Sequence, residues 1–232
     1  MAFQTTRWTL VRATSQASEP ERRAALETLC AAYWPPVYAF VRRGGTSAVL
    51  AEDLTQAFFA QLLARDDFAR ADPERGRFRA FLLGALRHFL ANERARENAA
   101  KRGPRPLSLD AALLEGVERG FEPAAGTTPE REFERAWAAA VLERARIRLA
   151  QEQASAGKDA QWRALEPFLA SSDERGHGGE LAAALGISEN AVRVALHRLR
   201  RRFGELVRDE VRETVGPGEV EDELAELRRA LE

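Results

Sequence analysis

The chain has 232 residues, 45% of them hydrophobic and 31% charged, with a formal net charge of −1. That length gives room for one or two domains with real cores, and the composition excludes a low-complexity chain without one. The near-neutral total argues against a uniformly basic nucleic-acid binder, and a single cysteine, Cys30, excludes a disulfide framework within the chain.

Alanine, leucine, arginine and glutamate dominate and β-branched residues are sparse, which favours helix. Met1 to Thr14 holds no apolar stretch long enough for a signal peptide, and nothing approaches a membrane span. A cytoplasmic protein without membrane insertion is expected.

In chain order, Ser18-Glu19-Pro20-Glu21 has the form of a capping box that opens a helix. That helix is expected to break or kink at Pro35-Pro36, continue over Val37 to Arg43 and end at Gly44-Gly45. A helix over Ala48 to Ala64 carries the apolar stripe Leu50, Leu54, Phe58 and Leu62, with Phe59 and Leu63 beside it. Glu52, Asp53, Gln56 and Gln61 lie largely off that stripe. After a polar loop from Arg65 to Gly76, a longer helix starts near Arg77. Phe78, Leu82, Ala85, Leu86 and Phe89 form its apolar face, and Arg87, Arg94, Asn98 and Lys101 line another.

Prolines and glycines crowd residues 103–128, which read as a linker. Thr128-Pro129 then opens a helix running to about Ser155, with Thr as N-cap and Pro as first residue. Asp159 to Ala170 follows, burying Trp162, Leu165 and Phe168. Helices over Glu180–Leu185 and Glu189–Arg212 come next, and Gly216-Pro217-Gly218 separates a last helix with Val220, Leu224, Leu227 and Leu231 spaced 4, 3, 4. That tail is expected to pack back on the domain it follows. The class is all-α: two small helical domains joined by a linker, the second a helix-turn-helix.

Residues 179–202 have the grammar of that motif. Leu181, Ala182 and Leu185 give the first helix an apolar face, Gly186 a left-handed turn, Ile187 a plug and Ser188 an N-cap. Val192, Ala195, Leu196 and Leu199 face inward, which leaves Glu189, Asn190, Arg193 and Val194 outward, where the motif enters a major groove. Arg193 is the best candidate for a base contact. His197, Arg198, Arg200, Arg201 and Arg202 add a basic run, and Arg198 and Arg200 to Arg202 are expected to reach phosphates. The acids Glu205 to Glu226 follow directly, so the charge is segregated although the total is near zero.

The set AEDLTQAFFAQLL (51–63), FRAFLLGALRHFLANERAR (78–96), a linker and a C-terminal helix-turn-helix resembles the extracytoplasmic-function sigma factors of bacterial RNA polymerase. The opening TRWTLV and the long linker resemble a branch common in planctomycetes and their relatives. The resemblance implies four segments: 1–102 for the polymerase clamp and the −10 element, a linker over 103–128, 129–215 for the −35 element, and a C-terminal amphipathic helix over 216–232. It implies core-polymerase contacts by Glu52, Asp53 and Gln56. It implies capture of the melted −10 strand by Arg87, Asn92, Arg94, Arg96, Asn98 and Lys101, with the loop before the helix as a pocket wall. It implies −35 contacts by Ser188, Glu189, Asn190, Arg193, Val194, His197, Arg198 and Arg201. The partners it implies are core RNA polymerase, promoter DNA and an anti-sigma protein or other regulator. Phosphorylation by a kinase is known in parts of the family, and Thr55 would be an apt site. The chain departs from the family at Ala57, Phe81, His88, Asn92, Val194 and Ala195, which bears on promoter sequence.

No phosphate loop, zinc-ligand spacing or nucleophile signature is present, and His88, His177 and His197 stand far apart, so no catalytic residue, metal or cofactor is expected. Two rivals use the same residues: a sigma-like decoy that binds an anti-sigma protein, and a helix-turn-helix regulator independent of polymerase.

Overall fold

The computed structural model describes residues 19–64, 77–101, 127–169, 177–215 and 218–232, and these are all-α, without strand. They form two compact units, residues 1–140 with 212–232 and residues 141–211. Ser18 of the expected capping box, the 65–76 loop, the TRWTLV opening and most of the linker lie outside the described residues.

In the first unit, α1 is one helix over Glu19–Arg43 and runs through Pro35 and Pro36. The break expected there does not end the helix. Two missing N–H groups weaken it, but Leu29, Ala32 and Tyr33 before the prolines and Val37, Phe40 and Val41 after them are all buried, and this packing holds both halves. Helix α1 ends at Gly44-Gly45, where Gly45 takes φ +87°, a conformation a β-carbon would strain. Cys30 is half-buried in α1, and burial pushes its thiol pKa up to about 11.

Helix α2 spans Ala48–Ala64 and buries Ala51, Thr55, Phe58, Phe59 and Leu62. Phe58, Phe59 and Leu62 are buried as expected, but Leu50 and Leu63 are exposed, so the buried face is turned toward Ala51 and Thr55. Small Ala51 and Thr55 let α2 approach its neighbours, which the larger Leu50 would prevent. Helix α3, Phe78–Lys101, buries Phe78, Leu82, Leu86 and Phe89, as its periodicity predicts. Rings join the three helices: Tyr33 lies 5.0 Å from Phe78, and Phe58 5.6 Å from Phe89, both tilted.

Helix α4, Pro129–Ser155, starts as its sequence predicts, with the Arg131 N–H donating to Thr128 Oγ1 at 3.2 Å. Its first turns belong to the first unit and bury Phe133 and Trp137. Arg43 Nε donates to the Thr127 carbonyl at 2.7 Å and ties the end of α1 to the start of α4.

The tail does not pack on the domain it follows. Its helix, Val220–Leu231, belongs to the first unit: Glu223 is fully buried and accepts hydrogen bonds from Arg79 Nε and Nη2 at 2.8 and 3.0 Å. Reading the tail by its leucines alone misses this, because a buried glutamate with an arginine partner gives no apolar signal.

In the second unit, α5 spans Asp159–Leu165 and gives way to a 3₁₀ turn over Glu166–Phe168. The expected helix to Ala170 is shortened because Pro167 has no N–H to continue the ladder, although Glu166 keeps helical angles (φ −52°, ψ −44°). Trp162 and Leu165 are buried, and Phe168 is only half-buried. Helix α6, Gly178–Leu185, ends at Gly186 with φ +64°, the left-handed cap the sequence predicts. Helix α7, Glu189–Arg212, buries Val192, Leu196, Leu199, Leu206 and Val207, and the same unit buries Val141, Ala145 and Leu149 of α4 and Leu181 of α6. For convenience the tail helix Val220–Leu231 is α8.

Candidate nucleic-acid and partner interfaces

Three surfaces carry the residues singled out in the sequence. The first lies on α1 and α2. Glu52, Asp53 and Gln56 are exposed along α2 and share a shallow depression with Trp34 and Tyr38 of α1. Trp34 is 36% exposed and stacks on Phe59 at 5.8 Å and 14°. The stack holds a large ring beside the acids at small entropic cost. The sequence reading missed both aromatics. Their i, i+4 spacing across the prolines was the signal, obscured by the expected helix break.

Thr55 does not join this surface. It is fully buried, and its Oγ1 donates to the Ala51 carbonyl at 2.7 Å. A kinase cannot reach it in the folded unit, so the phosphorylation site suggested there is withdrawn.

The second surface is the outer face of α3. Arg87, Asn92, Arg94 and Arg96 are exposed; the side chains of Asn98 and Lys101 lie outside the described residues. Arg87 Nη2 donates to Glu130 at 2.7 Å, and Arg96 Nη1 to Glu93 at 2.5 Å. The hydrogen bond from Arg87 leads the causes that hold the Glu130 carboxyl below its usual range. Arg87 and Arg94 line a groove of about 430 Å³ together with Leu54 and Leu90 and the acids Glu93 and Glu130. Arginines beside apolar side chains in a groove suit a phosphate backbone with an unstacked base, which would draw Arg87 from Glu130.

The third surface is the first half of α7 with the turn before it. Ser188, Glu189, Asn190, Arg193, Val194, His197, Arg198 and Arg201 are all exposed. Ser188 Oγ accepts from the Ala191 N–H at 3.2 Å, the predicted cap. Arg193 Nη2 reaches Asn190 Oδ1 at 3.4 Å, which places both on one edge of the helix.

The basic run is less available than its sequence suggests. Arg200 donates to the Phe168 carbonyl at 2.9 Å. Arg202 donates to Glu152 at 2.9 and 2.7 Å and to Glu205 at 2.9 Å. Both were expected to reach phosphates, yet they hold the second unit together. Helical geometry explains it: Leu199 and Leu206 face the core, and Arg200 and Arg202 flank that face. On the inner side, buried Glu210 accepts from Arg144 Nε at 2.8 Å and Arg148 Nη1 at 3.0 Å.

Among the described residues, no group of His, Cys, Asp and Glu could hold a metal ion, and no helix is long and apolar enough to cross a membrane. Residues 29–100 match the family Sigma-70 region 2, a stretch that takes in α2, nearly all of α3 and the second half of α1. It is this stretch, 72 of the 232 residues, that is similar to that family. Comparison with curated proteins and with solved structures finds no match.

Proposed function

We propose, proceeding from the match of residues 29–100 to Sigma-70 region 2, that the chain is an alternative sigma factor of the extracytoplasmic-function type. It binds core RNA polymerase and directs initiation at its own promoters. The observation that carries this reading is the pairing of two exposed surfaces on the matched segment. The Glu52, Asp53 and Gln56 face with Trp34 suits a protein partner, since a ring beside acids on a rigid helix pair is the make-up of an interface anchor. The Arg87–Arg94 groove suits single-stranded DNA.

Outside the matched segment, α6 and α7 form a helix-turn-helix that reads a −35 element. Arg193 is placed for a base edge, and Arg198 and Arg201 for phosphates. Residues 103–128 link the two DNA-binding parts. The TRWTLV opening and the long linker support the planctomycete-type branch. An anti-sigma protein or another regulator completes the reading, acting from the cytoplasm.

The test is complex formation with bacterial core polymerase, followed by transcription from promoters selected on random DNA. Wild type is expected to bind core, and Asp53→Ala/Gln56→Ala to lose most of that binding while keeping its fold. Absence of binding by wild type, in salt where a housekeeping sigma binds, would favour a polymerase-independent regulator or a decoy.

A further inference from the structure

The first arginines around α3 meet acids that the chain supplies from 144 positions further on. Glu223 has no solvent exposure and receives Arg79 Nε at 2.8 Å, Arg79 Nη2 at 3.0 Å and Arg77 Nε at 3.0 Å. Glu226 lies 3.6 Å from Arg77. Arg79 also pairs with Glu134 and sits 4.5 Å from the centre of the Trp137 ring.

Helix α8 lies half-buried along Val220, Leu224, Ala225 and Glu226. Of its twelve residues, Glu223 and Leu227 are the buried ones. Its first turn carries Glu221, Asp222 and Glu223. The partly exposed pair of Arg77 with Glu226 weakens as salt rises, and a phosphate offers a guanidinium fork the same chemistry as a carboxylate. A helix this short is marginal in water alone, so leaving the surface means melting. That makes α8 a two-state element. Arg79 keeps Glu134 and Trp137 when α8 leaves, whereas Arg77, 28% exposed even when covered, turns to solvent.

We infer that α8 is an intramolecular latch over a phosphate-binding edge formed by Arg77 and Arg79, and that nucleic acid competes with Glu223 for these arginines. The inference rests on the reading of α3 as the helix that takes the promoter strand. In the free protein the latch lowers affinity for DNA; an incoming strand, aligned by the exposed arginines further along α3, displaces it.

The experiment titrates a fluorescein-labelled single-stranded oligonucleotide of random sequence, without polymerase, over a range of salt. It compares the full chain, a chain ending at Val215, Glu226→Gln and Asp222→Asn. Removing α8 is expected to tighten binding several-fold at low salt and to steepen the salt slope by about 0.7, the value for one added phosphate contact on a single strand, at Arg77, since Arg79 stays paired with Glu134. Glu226→Gln, which loosens the latch without stranding a buried charge, is expected to tighten binding about two- to threefold. Asp222→Asn makes the same charge change at an exposed position and is expected to leave binding as it is.

Unchanged or weaker binding by Glu226→Gln overturns the latch and leaves α8 as a structural brace, even if the shortened chain fails to fold. An equal gain from Asp222→Asn also overturns it, since net charge then explains the effect. Core-polymerase binding by the full chain is measured in parallel. Its absence counts against the sigma reading itself, while flat DNA titrations with core binding intact count against the latch alone.

Discussion

Arg202 grips Glu152 with two hydrogen bonds, at 2.9 and 2.7 Å, and so stands apart from Arg193 and Arg198, exposed earlier on α7. Neighbours in sequence thus divide between holding the unit and facing outward. Arg202→Ala is expected to lower the melting temperature, by a cost of about 1 kcal/mol for a half-exposed pair, and to leave DNA affinity nearly unchanged. Arg193→Ala is expected to do the reverse, weakening promoter binding about tenfold or more with no loss of stability. Melting curves and −35 duplex titrations of the two variants check this; equal DNA losses would return Arg202 to the binding surface.

The same pair responds to acid. The hydrogen bond from Arg202 leads the causes that hold Glu152 below its ordinary 4.5, and the one from Arg146 does so for Glu143. Both carboxyls have folded pKa values below their unfolded ones, so their stabilisation is complete above about 4.5 and is lost as pH falls through the folded values. Melting temperature is expected to drop below pH 4.5, and Glu152→Gln to flatten part of that drop. A variant that melts with the same acid profile as wild type would show that other groups set it.

Trp34 is the anchor expected at the polymerase surface. It is partly exposed and stacked on Phe59, so Trp34→Ala should remove a contact from the interface while costing the fold little. Binding to core polymerase is expected to weaken by about 30-fold, the loss typical of a central aromatic. Competition against a labelled housekeeping sigma measures it, and an unchanged competition curve would move the interface elsewhere.

Thr55 tests the same unit from inside. Its hydroxyl is satisfied within α2 and no water reaches it. Thr55→Val is expected to cost about 1 kcal/mol, and Thr55→Glu several kcal/mol because it buries a carboxylate without a partner. Circular dichroism melts separate them. Native protein treated with kinase and then digested should carry no phosphate on Thr55; its appearance there would mean that α2 opens.

Helix positions, the caps at Thr128 and Ser188 and the left-handed Gly186 were legible because each depends on a few adjacent residues. The all-α class followed from the same signals. On α2 the burial of Phe58, Phe59 and Leu62 was legible, but that of Ala51 and Thr55 was not, because periodicity counts large apolar residues. The −35 candidates are exposed as expected, because strong amphipathicity fixes the rotation of α7. The partners of Arg79, Arg200 and Arg202 were not legible, since an arginine looks the same in sequence whether its partner is a phosphate or a glutamate dozens of positions away.

Because Glu223 follows Arg79 by 144 residues, the first unit cannot be completed while its N-terminal part is leaving the ribosome. At about 5–20 residues per second, the buried arginine waits roughly 7–30 s for its carboxylate. Until then Arg79 has only Glu134 as a carboxylate partner, and so long a loop is slow to close. Synthesis itself therefore imposes an order of events: the residues proposed to meet polymerase and DNA are made before the helix that covers Arg77 and Arg79.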